Sequence, residues 1–172
     1  MDSIFRRKTE EEQMKAAGRM PPGQFLTQKF PVLHYGAVPG FDPVNWDFRV
    51  WGEVEQTLRL TWAEFSQLPR TTLIMDIHCV TRWSKFDTLW EGVSIRTLIE
   101  NRLIRLKPQA RFVIQHAEYG FSANLPIEIA LADNFLLATH YDGAPLTPDH
   151  GYPLRGVVGA IPQRPDLKSP YF

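Results

Sequence analysis

The chain has 172 residues, 44% of them hydrophobic and 22% charged, which suits one domain with a substantial core. Nineteen basic and nineteen acidic residues balance, so there is no one-signed field of the kind that binds nucleic acid or an anionic membrane. The single cysteine excludes an internal disulfide and any zinc site built on two or more thiolates, and no apolar run approaches a membrane span.

Residues 1–20 mix charges without a stable apolar stripe, the pattern of a charged arm or short surface helix that Pro21-Pro22-Gly23 ends. Arg6-Arg7 invites a twin-arginine export reading, but Lys8-Thr9-Glu10-Glu11-Glu12 comes next where an apolar segment is required. A cytoplasmic location is therefore expected. Residues 21–172 form the domain proper.

Phe30-Pro31-Val32-Leu33-His34-Tyr35-Gly36 is a compact aromatic segment, either packed on the core or lining a ligand site. Trp46 to Trp51 alternates apolar and polar side chains at the period of a half-buried strand, and Thr57 to Leu60 reads as its partner. Thr61-Trp62-Ala63-Glu64 matches a capping box, starting a short helix that Pro69 stops by Leu68. Thr71 to Val80 is a buried strand that delivers Cys79 to its carboxyl end. A basic-aromatic loop, Thr81-Arg82-Trp83-Ser84, is expected next, and then an aromatic-glycine turn at Trp90-Glu91-Gly92.

Ile95, Leu98, Ile99 and Leu103 recur at helical spacing within Ser94 to Leu103. Arg111 to His116 is a strand, Leu125-Pro126 opens a short helix through Ala130, and Asn134 to Tyr141 is another strand. Asp142-Gly143 is a turn, and Leu154 to Val158 a final short strand. Several strands, short helices and fourteen prolines define an α+β fold with mixed sheets and long, shaped loops. Neither a GxGxxG nor a P-loop pattern is present, which argues against a Rossmann nucleotide site.

Cys79 has three readings. It is a buried small hydrophobe, a nucleophile, or a metal thiolate. A nucleophile needs a base in reach, and His78 is a poor one because strand neighbours face opposite sides. His34, His116, His140 and His150 are the other candidates. One protein sulfur suffices for a metal only where a cofactor brings the remaining ligands. His140 lies in an apolar run and reads as a core histidine. His150-Gly151-Tyr152-Pro153-Leu154-Arg155 presents an imidazole and a guanidinium five residues apart, and an arginine fork suits phosphate oxygens.

Four segments together resemble the molybdopterin-dependent oxidoreductases of the sulfite oxidase fold, closest to the small bacterial sulfite oxidase-like branch. They are the His34 segment, Cys79-Val80-Thr81-Arg82-Trp83 with Trp90 to Val93, Gly120 to Pro126, and His150 to Arg155. The resemblance implies that Cys79 is the protein thiolate on molybdenum in a molybdenum-molybdopterin cofactor. It implies cofactor contacts from His34 and Tyr35, and a hold on the pterin's phosphate end from His150 and Arg155. Arg82, beside the metal loop, would bound the substrate pocket. The implied reaction is oxygen-atom transfer to or from a small oxyanion or an S- or N-oxide, with electrons leaving singly to a separate haem partner or another acceptor.

Val-Thr-Arg-Trp after the cysteine departs from the Ala-Gly-Asn-Arg-Arg of true sulfite oxidases, so a substrate other than sulfite is expected. The fused haem and dimerisation domains of the eukaryotic enzymes are not found, from which a monomer is expected. The segment that closes over the cofactor phosphate is also expected to be missing, with Lys168-Ser169 standing in for part of it. An apo or non-catalytic binding domain of the same fold is therefore a first alternative, with cofactor absent. A cysteine-dependent hydrolase or transferase is a second.

Overall fold

A helix over Asp2–Ala16 (α1) precedes a two-residue strand, Phe25–Leu26 (β1), in a computed structural model that describes residues 2–164 and residue 166. The helix is tied to the strand through Glu11, whose carboxylate takes the Lys15 ammonium and accepts the Leu26 N–H at 3.1 Å. The strands Asp47–Val50 (β2) and Leu58–Thr61 (β3) then pair antiparallel as a separate ribbon. Helix Trp62–Ser66 (α2) begins directly after β3, and both halves of its capping box form between Thr61 and Glu64.

Thr71–His78 (β4) and Trp83–Val93 (β5) make the hairpin around which the main sheet is built. Helix Ile95–Glu100 (α3) is capped by Ser94 and buries Ile95 and Leu98. Phe112–His116 (β6) and Ser122–Pro126 (β7) form a second ribbon, and Ile127–Ala130 (α4) is one turn of helix after it. Phe135–Tyr141 (β8), Ala144–Pro145 (β9) and Arg155–Val158 (β10) complete the described strands.

The six-stranded sheet runs β1-β5-β8-β10, with β4 also on β5 and β9 also on β8. β1 lies parallel to β5, while β4, β8, β9 and β10 pair antiparallel with their neighbours. The position of β8 explains why its sequence is apolar throughout. Phe135 and Leu137 enter one core with Phe65, Val93 and Leu98, while Leu136 and Ala138 enter another with Met75, Trp90 and Val157. Successive side chains of a strand point to opposite faces, so this strand is covered on both. Trp90 is fully buried in the second core, and its indole N–H donates to Thr88 Oγ1 at 2.8 Å.

The stretch after Cys79 corrects the sequence reading. Thr81 and Arg82 stand in a turn as expected, but Trp83 and Ser84 open one continuous strand to Val93, in place of the aromatic-glycine turn. Gly92 is in that strand because a Cβ there would lie 2.2 Å from the Leu137 carbonyl oxygen, where β5 and β8 approach at a register shift. Its glycine marks close backbone approach, a signal that looks like a turn in sequence. Strands β1, β7 and β9 were also not anticipated; two of them are only two residues long.

Candidate active site

Cys79 sits at the tip of the β4–β5 hairpin. Its N–H donates to the Trp83 carbonyl and its carbonyl accepts the Arg82 N–H, both at 2.9 Å. That pattern is a tight turn closed by a residue in the left-handed region, and Arg82 supplies it with φ 72°. Glycine usually fills such a position; an arginine there carries backbone strain of about 1–2 kcal/mol. The half-buried Cys79 sulfur accepts a hydrogen bond from Thr81 Oγ1 at 3.0 Å. Arg82 itself is exposed on the same tip.

Behind the tip, His78 is buried and its Nδ1 lies 2.8 Å from Ser84 Oγ. Burial pushes the His78 pKa below its ordinary value, with Asp76 opposing and Arg19 assisting, so the ring is neutral at pH 7. The backbone carbonyl of Cys79 accepts from Gln24 Nε2 at 3.0 Å.

Arg155 opens β10 and faces the same region. It is half-buried as a residue, yet its Nε is shut off from solvent with no hydrogen-bond partner. Burial pulls its pKa down, and interaction with Cys79 acts in the opposite direction. Nη1 donates to the His150 carbonyl at 3.0 Å, and the guanidinium lies over Phe30 and Trp90, 5.5 and 5.9 Å from their ring centres. Among the described residues no carboxylate pairs with it. A shielded cation without a counter-charge is costly, and the two aromatic faces and the His150 carbonyl are its given partners.

Phe30 is the floor of the region. Its ring stacks on His150 at 4.1 Å and meets Trp83, Trp90 and Tyr141. The Tyr141 hydroxyl is shut off from solvent, and its pKa is raised, mainly by burial and then by the neighbouring Asp142 carboxylate. His150 spends both ring nitrogens on the protein, on Thr147 Oγ1 at 2.8 Å and the Phe30 carbonyl at 3.1 Å. It therefore orients the Phe30 segment and hands its own carbonyl to Arg155. His34 reaches across to the Asp149 carbonyl at 3.1 Å, pinning its loop to the turn before His150.

Phe30 links the two halves of the region, its ring meeting both Trp83 beside the Cys79 turn and the Arg155 guanidinium, with His150 behind Arg155 and His34 tied to the same loop. Tyr35 stands apart, exposed, its ring against Phe121 at 5.5 Å. Lys168 and Ser169 lie outside the described residues. His140 is half-buried at the sheet's other end, held by Thr139 Oγ1 at 2.9 Å and close to Glu91. Gln24, Thr81 and Ser84 carried no expected role. Gln24 has no local signal at all, since its partner is 55 residues away in sequence.

Among the described residues no group of three or more His, Cys, Asp or Glu side chains is placed to hold a metal. The donor set is one thiol, with a buried, unpartnered guanidinium nitrogen nearby. That set fits an anionic group that brings its own metal ligands, as a pterin dithiolene does, and does not fit a bare ion.

The fold is that of the molybdopterin-dependent oxidoreductases of the sulfite oxidase fold. Residues 35–164 match the oxidoreductase molybdopterin-binding domain, and the chain belongs to that family of enzymes. Over 146 residues it is 44% identical to the uncharacterized oxidoreductase YuiH of Bacillus subtilis, covering 84% of this chain and 73% of that protein. It is 28% identical over 133 residues to the protein-methionine-sulfoxide reductase catalytic subunit MsrP of Campylobacter jejuni, covering 69% of this chain and 44% of that one. The sulfane dehydrogenase SoxCD of Paracoccus pantotrophus superposes with a TM-score of 0.63 at 21% identity, over 74% of this chain and 37% of that one, a likeness of fold. Apart from YuiH, then, the chain spans less than half of these relatives. No helix among the described residues is long and apolar enough to cross a membrane.

Proposed function

We propose that this chain transfers an oxygen atom to or from a small substrate, either a sulfite-like oxyanion or an S- or N-oxide, with Cys79 as the protein's ligand to molybdenum. The observation that carries the reading is the half-buried Cys79 thiol at the hairpin tip, in a fold where the Arg155 Nε is shut off from solvent without a partner and its guanidinium lies over the Phe30 ring that meets Trp83. The cofactor, when bound, supplies the metal that exchanges the oxygen atom and two electrons. The protein's own residues do the rest. The hairpin tip fixes the sulfur, Arg155 offsets negative charge beside it, and the Phe30 floor excludes water from that side. MsrP is by name a catalytic subunit, which supports a separate partner that takes up or supplies the electrons. Its named substrate class makes a sulfoxide the first compound to test.

The hydrolase reading has less support, since no hydrogen bond joins a described histidine to the Cys79 sulfur. His78 bonds Ser84, His34 bonds Asp149, His150 bonds Thr147 and Phe30, His140 bonds Thr139, and His116 stacks on Trp51. Cysteine nucleophiles need a base in hydrogen-bond reach, and Thr81 occupies the sulfur here.

Protein purified from a molybdopterin-producing host is expected to carry about one molybdenum per chain. Metal analysis that finds none overturns the proposal. Arg155→Met keeps much of the packing over Phe30 and Trp90 and removes the charge. A charge-assisted hydrogen bond is worth about 1.5–3 kcal/mol, so the variant should release molybdenum roughly tenfold or more faster on dialysis. An unchanged rate would show that Arg155 does not face the cofactor.

Arg82 is proposed to bound the substrate pocket. Arg82→Gly relieves the left-handed strain but frees the unfolded chain, so stability should stay within about 1 kcal/mol of the parent. Substrate turnover should fall nonetheless. Full activity in Arg82→Gly would remove Arg82 from the pocket.

A further inference from the structure

Among the described residues, Gln24 is the side chain that crosses from the amino-terminal segment to the backbone of the cysteine. It sits just before β1, which lies parallel to β5 with Phe25 opposite Trp83 and Leu26 opposite Ser84. The strap is closed by backbone bonds on either side, Phe25 N–H to the Arg82 carbonyl and Thr27 N–H to the Ser84 carbonyl, each 2.9 Å. Just before them, the Gln24 amide turns inward with both its nitrogen and its oxygen engaged. Nε2 donates to the Cys79 carbonyl at 3.0 Å, and Oε1 accepts from Ser84 Oγ at 3.2 Å.

Proton accounting gives this chain of hydrogen bonds one direction. The Ser84 hydroxyl has a single hydrogen, and Gln24 Oε1 can only accept it. Ser84 Oγ must then accept from His78 Nδ1, 2.8 Å away, so His78 carries its proton on Nδ1. The order is His78 N–H to Ser84 O–H to Gln24 amide to Cys79 carbonyl. Ser84 is fully buried and His78 nearly so, which makes each link expensive to leave unmade. Flipping the Gln24 amide would set its oxygen against the Cys79 carbonyl, two acceptors facing each other, and lose that bond.

We infer that Gln24 is a positioning residue for Cys79. Through Ser84 and His78 it locks the peptide of the cysteine, and so fixes where the sulfur is held. The inference rests on Cys79 being the molybdenum ligand. It adds that the orientation of that ligand is set by a strap from outside the hairpin, not by the hairpin turn alone. Outer partners that orient a ligand commonly change metal affinity or activity by about 10–100-fold when removed.

The test uses molybdenum-loaded full-length protein, comparing wild type with Gln24→Leu and Ser84→Ala. Two quantities are read: the electron paramagnetic resonance spectrum of the pentavalent metal, and the rate of molybdenum loss on dialysis. Gln24→Leu, similar in volume, should shift or broaden the spectrum and lose metal about three- to tenfold faster, the effect of one lost hydrogen bond. Ser84→Ala should move both readouts the same way by less. The double variant should add nothing beyond Gln24→Leu, because both cut one chain of bonds. Wild-type spectra and loss rates in Gln24→Leu overturn the inference while leaving the metal reading intact. A wild-type chain without molybdenum, or a Cys79→Ser chain that keeps it, overturns the metal reading and this inference with it.

Discussion

Cys79→Ser is expected to fold like the parent and to lose its molybdenum. Cys79 is the only thiol, so no second protein sulfur can replace it. A serine hydroxyl is a poor substitute for a soft thiolate ligand, and the loss should be at least about tenfold in retained metal, since even outer-partner changes reach that size. Oxygen-transfer activity should vanish with it. Stability should change by no more than about 0.5 kcal/mol, because the residue sits half-exposed at a hairpin tip and contributes little to either core. Metal analysis and a denaturation curve on the same preparation check both halves. A serine variant with full metal content would move the ligand assignment off Cys79.

The largest stability effect is expected at Asp76. A bulge in β4 between Met75 and Ile77 takes this residue out of register, and its backbone bridges to Ala160 instead, at 2.7 and 2.8 Å. The bulge re-aims the carboxylate, which is 1% exposed, at Arg19. It accepts Arg19 Nε at 2.9 Å and Nη2 at 2.7 Å in a fork, and the Asp87 N–H at 3.0 Å. Those contacts hold the Arg19 guanidinium well above its ordinary pKa, the Asp76 hydrogen bond being the largest cause.

Asp76→Ala takes the buried forked acceptor from Arg19, leaves that cation to the exposed Asp87 carboxylate at 2.6 Å, and strips the Asp87 amide of its acceptor. Breaking one side of a buried pair costs about 3 kcal/mol or more. Urea denaturation should show a loss of that order. The loss should be smaller when Arg19→Met is made as well, because the two residues are coupled. A single-variant change under about 1 kcal/mol would mean that water replaces the carboxylate freely. The site should respond too, since Arg19 anchors the segment that carries Gln24 toward Cys79.

Much of the scaffold was legible because its signals are local. The capping box at Thr61 and Glu64, the alternation in β2, the helical spacing of Ile95 and Leu98, and the proline-led turn before α4 each depend on residues within one or two turns of chain. The errors fell where a local pattern has two physical meanings. Trp90-Glu91-Gly92 looks like a turn, yet its glycine makes room for the Leu137 carbonyl of a neighbouring strand. His140 reads as a core histidine from its apolar neighbours, but it ends up half-buried among Thr139, Arg70 and Glu91.

The sequence by itself determined the α+β class, the placement of Cys79 at the end of a strand, and, through four separated motifs, the family to which the chain belongs. Only the tertiary structure decided what surrounds that cysteine. It extended the chain from Trp83 through the expected turn at Trp90-Glu91-Gly92 as one strand of the sheet, and left Arg155 with a solvent-shielded, unpartnered nitrogen. It also spent both nitrogens of His150 on the protein and brought Gln24 onto the Cys79 peptide. The reason is range. Strand and helix periods are written in neighbouring residues, whereas a site is made of side chains 55 to 120 positions apart, whose meeting depends on sheet order and register.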